Sequence, residues 1–347
     1  MIKNSVYYEI YNSHPDFRSA TLQQMWYARG TGMGISDNET KLYNVRFAAE
    51  EAYYKDCTLC PRNCHVNRLN GTIGFCRAGA SITAARAALH HWEEPCISGS
   101  NGSGTVFFTG CSLGCVYCQN YNISRNLAGK EISTERLAEI FLELQGQKAH
   151  NINLVTPSHY VPSIVKSIRL AREKGLDIPI VYNSSGYENV DTVKLLEGNV
   201  DIFLPDFKYC GQNLSKRYSF SSDYFEAASK AIAEMVRQTG DAQFSEDIMT
   251  RGVIVRHLLL PGGLKDSKKV IKYLYETYGD TIYLSIMNQY TPLEQVKSYP
   301  ELDRKVTQKE YDELIDYALE IGVENGFIQE GETALESFIP EFDSQGI

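Results

Sequence analysis

No stretch of about 18 uninterrupted apolar residues occurs anywhere in the 347-residue chain, which argues against a membrane-spanning helix. The opening MIKNSVYYEIYNSHPDF lacks the apolar core of a secretion signal. The chain is therefore expected to be cytoplasmic and without a membrane partner. It also lacks any Lys/Arg run of the kind that tracks a phosphate backbone. Acidic residues outnumber basic ones 43 to 34, a formal net charge of -9, so nucleic acid is not an expected partner. Internal repeats and low-complexity tracts are missing too. What remains, 43% hydrophobic and 22% charged residues, is the composition of a packed globular protein.

A disulfide framework is equally out of place. The nine cysteines are an odd number, and seven of them fall in two tight groups, at 57, 60, 64 and 76 and at 111, 115 and 118, with Cys96 and Cys210 alone. In a chain of this size with no export signal, such clustering reads as metal ligation.

Four regions follow from composition. Residues 1–55 form an N-terminal extension without clean alternation. Residues 56–103, rich in Cys, Gly, Asn and Arg, read as a loop-rich, metal-organised segment. From 104 to 322, short apolar runs at 105–109, 152–156, 178–182, 200–204, 253–260 and 281–287 alternate with amphipathic stretches at 134–148, 161–174, 190–197, 223–238, 267–278 and 308–322. Buried-type strands separated by helices call for a parallel sheet with right-handed crossovers. Periodicity alone leaves a partial (β/α)6 barrel and an open doubly wound sheet both standing. Residues 323–347 are an acidic tail ending in ESFIPEFDSQGI.

Directly after the first barrel strand comes Gly110-Cys-Ser-Leu-Gly-Cys-Val-Tyr-Cys118. Iron-sulfur clusters are normally held by four thiolates, so Cys111, Cys115 and Cys118 with no nearby fourth would leave one iron open for a ligand. A zinc site or three neighbouring reduced cysteines are the plainer readings of the same spacing.

This segment resembles the cluster-binding motif of the radical S-adenosylmethionine superfamily. The wider pattern is C-T-L-C-P-R-N-C, G-T-I-G-F-C-R-A-G, E-E-P-C-I-S-G and F-F-T-G-C-S-L-G-C-V-Y-C-Q-N-Y. It is similar to the pyruvate formate-lyase activating enzyme-like group, over most of the chain. The resemblance implies a TIM-like radical SAM barrel and a 4Fe-4S cluster on Cys111, Cys115 and Cys118. It further implies an oxidoreductase that chelates S-adenosyl-L-methionine at the open iron and cleaves it reductively to a 5′-deoxyadenosyl radical, which abstracts hydrogen. Tyr117 stands where relatives place an aromatic against adenine. An electron donor such as flavodoxin or ferredoxin is implied, and a protein or peptide substrate, with a small molecule as the rival. A non-catalytic structural metal protein is the alternative outside enzymology. No residue is assigned as catalytic.

Barrel strand ends supply the remaining candidates. Asn183-Ser-Ser-Gly-Tyr187 offers small polar groups, here Asn183 and Ser184, with a glycine that lets backbone approach a ligand. Alternation puts Asp206 and Lys208 on one side of their strand, and the pair resembles the Asp-x-Lys motif of the activating enzymes, where lysine meets the cofactor carboxylate. Arg256 interrupts the apolar strand Gly252-Val-Ile-Val-Arg-His257 and is expected to point inward, because a buried charge needs a partner; by resemblance it contacts the cofactor, while His257 faces away. His159, in Thr156-Pro-Ser-His159, is read either as a substrate-side acid/base or as a strand-end residue bonded to backbone. Met287-Asn-Gln-Tyr290 is read as adenine or substrate contacts or as plain turn residues.

Cys57, Cys60, Cys64 and Cys76 make a closed four-thiolate set, suited to structural zinc or to a fully ligated auxiliary iron-sulfur cluster. His65 is a possible substitute ligand, and reduced cysteines without metal are the third reading. These cysteines precede the cluster motif, whereas two-cluster activating enzymes carry theirs after it.

Overall fold

The computed structural model describes residues 7–10, 50–329 and 340–347. Of the expected extension 1–55, only strand β1 (Tyr7–Ile10) and helix α1 (Glu50–Lys55) lie within the described residues.

Each apolar run of the 104–322 region forms a strand. These are β3 (Ser103–Phe108), β5 (Ile152–Val155), β6 (Ile180–Ser184), β7 (Ile202–Pro205), β9 (Ile248–Leu258) and β10 (Tyr283–Met287). Every residue of β3, β5, β6 and β7 is buried. That double burial is why the runs are continuous rather than alternating. The other strands are β2 (Ile82–His90), β4 (Lys130–Ile132), β8 (Gln243–Ser245) and β11 (Gly326–Gln329).

Helices follow where the amphipathic stretches were read: α4 (Thr134–Gly146), α5 (Val161–Glu173), α6 (Val190–Lys194), α8 (Tyr224–Thr239), α9 (Leu264–Tyr278) and α10 (Gln308–Glu320). Short helices α2 (Pro95–Ser98), α3 (Tyr121–Ser124) and α7 (Gln212–Ser219) lie between strands. Ser133 caps α4 by accepting the Arg136 N–H at 3.0 Å, and Leu137, Ile140, Phe141 and Leu144 then form its buried stripe. A reciprocal Thr307–Glu310 capping box starts α10. None of the described helices is long and apolar enough to cross a membrane.

The strand order is β1-β11-β10-β9-β7-β6-β5-β3-β2-β4, with β8 against β9. The run from β3 to β11 is parallel throughout, while β2 and β1 flank it antiparallel. The six expected β/α units form the partial barrel, and two expectations change at its ends. Gly326–Gln329, placed in a tail by the sequence, is a seventh parallel strand, because Leu284, Ser285 and Ile286 offer it a ladder partner. Residues 82–90, placed in a loop-rich segment, pair with β3. Their ITAARAALH composition favours helix, and the sheet edge overrides it.

Period-two alternation sorts the barrel. Tyr182, Phe203, Val253 and Val255 pack outward with the helices. Val181, Ile202, Leu204 and Ile254 turn inward, where Cys96 and Ile97 of α2 plug the base. On the outer edge, β4 pairs with Ile82–Ala84 only. Beyond it the C-terminal residues take over: Ser344 N–H donates to Ala85 O at 3.0 Å and Ala87 N–H to Gln345 O at 2.8 Å. The edge is thereby covered.

Gly346 sits at φ +75, where a Cβ would lie 2.2 Å from Ala87 O. Gly346→Ala is expected to lower stability by roughly 1–3 kcal/mol, measured by thermal unfolding beside Gly175→Ala, whose φ is +100 but whose Cβ meets nothing within 4 Å. Equal melting of the two variants would mean that the C-terminal segment is not held on β2.

Candidate active site

The loop after β3 is shaped by two glycines. At Gly110, φ +92, a Cβ would lie 2.7 Å from Cys76 O; at Gly114, φ +70, it would lie 1.3 Å from an Arg125 nitrogen. Only glycine fits such close approaches in that conformation. The loop then delivers Cys111, Cys115, Tyr117 and Cys118 to one cavity of about 220 Å³. Asn183, Ser184, Asp206, Lys208 and Arg256 line the same cavity, so the strand-end residues picked from the sequence come together around the cysteine loop.

Arg256 organises the floor. Its Nε donates to Asp206 Oδ1 at 3.0 Å, Nη1 to Glu93 Oε2 at 3.1 Å and Nη2 to Asn183 Oδ1 at 2.6 Å. Glu93 Oε1 also accepts from Asn153 at 3.0 Å and Asn183 at 3.3 Å. Lys208 Nζ reaches Asp206 Oδ2 at 2.5 Å. Burial alone would raise the Asp206 pKa, but the adjacent Lys208 and Arg256 charges outweigh it and hold the carboxyl below its usual range. Burial likewise opposes the Lys208 charge, and Asp206 reverses that and raises its pKa. The cavity therefore presents an ionised carboxylate and an ammonium side by side. Beneath them Glu94, 0% exposed, is pushed up to about 7 by burial, with Arg256 opposing.

Around the thiols the hydrogen bonds run toward sulfur. Ser219 Oγ donates to Cys115 Sγ at 3.0 Å, Ser124 Oγ to Cys118 Sγ at 3.5 Å and the Leu113 N–H to Cys111 Sγ at 3.4 Å. Ser219 continues a buried hydroxyl chain, 2.8 Å to Tyr209 and 2.6 Å from there to Tyr117. Burial raises the Cys115 and Cys118 thiols, the latter to about 12 with Cys111 reinforcing it. Such thiols ionise only against a metal cation.

The cysteine-rich segment lies against this loop. Cys76 O accepts the Cys111 N–H at 3.2 Å. Arg62 donates to the carbonyls of Ser112 at 2.9 Å, Leu113 at 3.2 Å, Ser219 at 3.1 Å and Phe220 at 2.5 Å. Cys57, Cys60 and Cys76 are buried and Cys64 is half-buried. Arg68, 2% exposed, donates to Gly79 O and His159 O and stands 3.9 Å from Cys57 Sγ. His65 is turned to solvent, 2.7 Å from Asp56, and is not placed as a substitute ligand. Three Cys, His, Asp or Glu side chains around one point, as a single ion requires, are not found among the described residues. A cluster asks for thiolates on separate irons.

His159 is placed under the loop rather than in the cavity. It is 1% exposed, with Nε2 bonded to Thr109 O at 2.8 Å, and burial, then Arg68, lowers it to about 3. The backbone-bonded alternative describes it. His257 faces outward onto Phe207 O at 2.7 Å. Met287 and Gln289 line the cavity, while Tyr290 packs on Tyr117 with ring centroids 6.2 Å apart.

Residues 105–262, from β3 to the turn after β9, match the family model of the radical SAM superfamily. That stretch of the barrel is a radical SAM domain. Over 287 residues the chain is 29% identical to the uncharacterised protein MJ0674 of Methanocaldococcus jannaschii, covering 80% of this chain and 78% of that one. Similar solved structures include SuiB of Streptococcus suis bound to precursor peptide SuiA, at TM-score 0.43 and 12% identity over 64% of this chain and 47% of that one. Methylornithine synthase (PylB) is similar at TM-score 0.45 and 13% identity over 68% of each chain. A domain of pyruvate-formate lyase-activating enzyme from Bacteroides vulgatus ATCC 8482 is similar at TM-score 0.35 and 13% identity, over 49% of this chain and 92% of that one. The chain thus spans about half the length of SuiB.

A radical SAM domain implies a 4Fe-4S cluster and S-adenosylmethionine, and residues 105–262 have donors for both: three thiols on one loop, and beside them charged and amide groups in one cavity. Sequence reasoning missed Glu93, Asn153, Ser219, Tyr209 and Arg62. Asn153 carried a usable signal, a polar residue inside an apolar strand, the same one that marked Arg256.

Two outcomes follow for the radical SAM domain. Hydrogen bonds to cluster sulfurs favour the reduced, more negative state, so Ser219→Ala is expected to move the midpoint potential to a more negative value, read by a spectroscopically monitored redox titration. An unchanged potential would mean that the Ser219 hydroxyl does not act on a cluster ligand. Glu94 has a raised folded pKa, about 7 against a usual 4.5, so the native state holds its proton more tightly than the unfolded chain. Its stabilising share is full below pH 4.5 and is lost as pH rises through 7. Glu94→Gln is expected to gain on wild type by up to roughly 3 kcal/mol between pH 5 and 8 in urea unfolding; a pH-independent difference would contradict the burial of a protonated Glu94.

Proposed function

We propose that this chain is a radical S-adenosylmethionine enzyme of the pyruvate formate-lyase activating enzyme-like kind, working in the cytoplasm on a protein or peptide substrate. The observation that carries the reading is the single cavity shared by Cys111, Cys115, Cys118, Tyr117, Asn183, Ser184, Asp206, Lys208 and Arg256. A 4Fe-4S cluster held by Cys111, Cys115 and Cys118 would supply the electron for reductive cleavage of S-adenosylmethionine to methionine and a 5′-deoxyadenosyl radical, the species that would take a hydrogen atom from the substrate.

The chain's own residues do the rest. Cys111, Cys115 and Cys118 hold the cluster. Lys208 offers its ammonium to the methionine carboxylate, and Asp206, kept ionised by Lys208 and Arg256, accepts from the methionine amino group. Asn183 and Ser184 complete the cofactor cradle, and the Tyr117 ring takes the adenine. Resemblance to activating enzymes, whose substrates are backbone glycines, supports the protein or peptide substrate. The electron comes from a carrier such as flavodoxin or ferredoxin.

Cys57, Cys60, Cys64 and Cys76 are assigned to a second metal site, an auxiliary cluster in preference to zinc, because three such side chains do not converge on one point among the described residues. Support comes from the buried Arg68 guanidinium beside Cys57 Sγ, since a buried cation calls for an anionic neighbour such as a metal-thiolate centre.

Anaerobic reconstitution with iron and sulfide, then dithionite reduction with S-adenosylmethionine, is expected to yield 5′-deoxyadenosine and methionine by chromatography, and Cys115→Ala is expected to yield neither. Iron-loaded wild type that neither binds nor cleaves S-adenosylmethionine would sink the proposal. Mass spectrometry of candidate partners reads the substrate class, and products confined to small molecules would overturn the protein or peptide assignment.

A further inference from the structure

Three arginines beside the cysteine loop carry charges that no carboxylate answers among the described residues. Arg62 lies on the Phe75 ring, 3.9 Å from its centroid, and Arg125 stacks on the same ring at 4.6 Å. Arg77, exposed, donates to Arg125 O at 2.8 Å, and Arg125 to Phe75 O at 3.2 Å. The hydrogen bonds of all three thus end on backbone carbonyls, and none of the three forms an ion pair among the described residues. Lys216, one turn back from Phe220 on α7, is exposed as well. The chain as a whole carries a net charge of -9, so an uncompensated basic patch is a local departure.

Beside Arg62 is an apolar ring in solvent. Phe220 is 50% exposed, and its carbonyl is held by Arg62 at 2.5 Å. The preceding residue, Ser219, is 0% exposed and donates to Cys115 Sγ at 3.0 Å. From the exposed ring to a thiol of the cysteine loop there is therefore one peptide link and one hydrogen bond.

We propose that this face, with Phe220 beside Arg62 and Lys216 and with Arg125 and Arg77 reached across the Phe75 ring, docks an acidic one-electron carrier protein and passes its electron inward past Ser219 to the Cys115 side of the loop. The carrier's cofactor is oxidised by one electron, the iron-sulfur cluster is reduced by one, and no atom is transferred. Complementary charge is the reason for the acidic occupant: a basic patch beside an apolar ring steers and orients an oppositely charged partner. The proposal rests on the radical S-adenosylmethionine reading.

The test uses the reconstituted full-length protein with oxidised flavodoxin as the probe, titrated through its flavin absorbance at low and high salt. Dithionite-driven cleavage of S-adenosylmethionine is measured in parallel. Wild type is expected to bind flavodoxin with an affinity that falls as salt rises. Arg77→Glu and Lys216→Glu are expected to weaken low-salt binding by about tenfold each, Phe220→Ser to weaken it at both salt levels, and all three to keep the dithionite reaction. Binding unchanged in the three variants overturns the docking face. So does loss of the dithionite reaction in Arg77→Glu or Lys216→Glu, which would make those charges internal to the cysteine loop. If wild type binds flavodoxin through these residues yet never cleaves S-adenosylmethionine with either reductant, the docking face stands and the catalytic reading fails.

Discussion

A guanidinium inside a barrel has to be answered on every side, and Arg256 is answered by three separate pieces of chain. Asp206 comes from the end of β7, Asn183 from β6, and Glu93 from the segment before the first barrel strand. Leaving any of them out would strand a buried charge or a buried amide, at several kcal/mol for the ion. The interaction therefore fixes how far β6, β7 and β9 extend relative to one another at the mouth. It also draws the residues before α2 into the barrel, where Cys96 and Ile97 then plug the base. Lys208 follows, because Asp206 has a second oxygen to satisfy. One cation at an inward strand position thus determines the polar floor of the cavity, and the order of its neighbours follows from hydrogen-bond capacity.

The opposite wall is built by a different logic. The cysteine loop has positive φ at Gly110 and Gly114 and few side chains of its own to hold it. What holds it is the cysteine-rich segment: the Cys76 carbonyl takes the Cys111 N–H, and a single guanidinium, Arg62, spans from Ser112 and Leu113 to Ser219 and Phe220. Four carbonyls pointing at one planar donor set suits arginine and no other side chain. The segment is therefore less an appendage than the support on which the loop rests, and its Ile82–His90 half is an integral strand of the sheet.

Much of the fold was legible because burial on both faces writes itself as apolar runs. Arg256 and the Asp206–Lys208 pair were legible because a charge that breaks such a run has to face something, and alternation says which side. Glu93 was not, since its partner Arg256 is 163 positions away and the stretch around it has neither period. Gly326–Gln329 was not, because four residues behind an acidic stretch carry no signal apart from the open edge of β10 that receives them. Residues 82–90 were misread because the Cys-, Gly-, Asn- and Arg-rich composition of the whole 56–103 segment speaks for loops, and only the ladder of β3 makes them extended. Ser219 and Tyr209 lie at the far ends of hydrogen bonds to the cysteine loop, and nothing in the sequence ties them to it.

The two walls differ in what they need in order to be complete. The Arg256 network is already neutralised and hydrogen-bonded, so it can receive a ligand without rearranging, which is the property that lets charged groups orient a substrate at low cost. The cysteine wall is the reverse: buried thiols with raised pKa values are content to stay neutral until a metal displaces their protons. Loading that wall changes its charge, and the nearest groups placed to register the change are Lys208, already weighing on Cys115, and the Ser219–Tyr209–Tyr117 hydroxyl chain. Both lead back into the cavity, so the state of the cysteine loop and the polarity offered to a ligand there are physically coupled through these two routes.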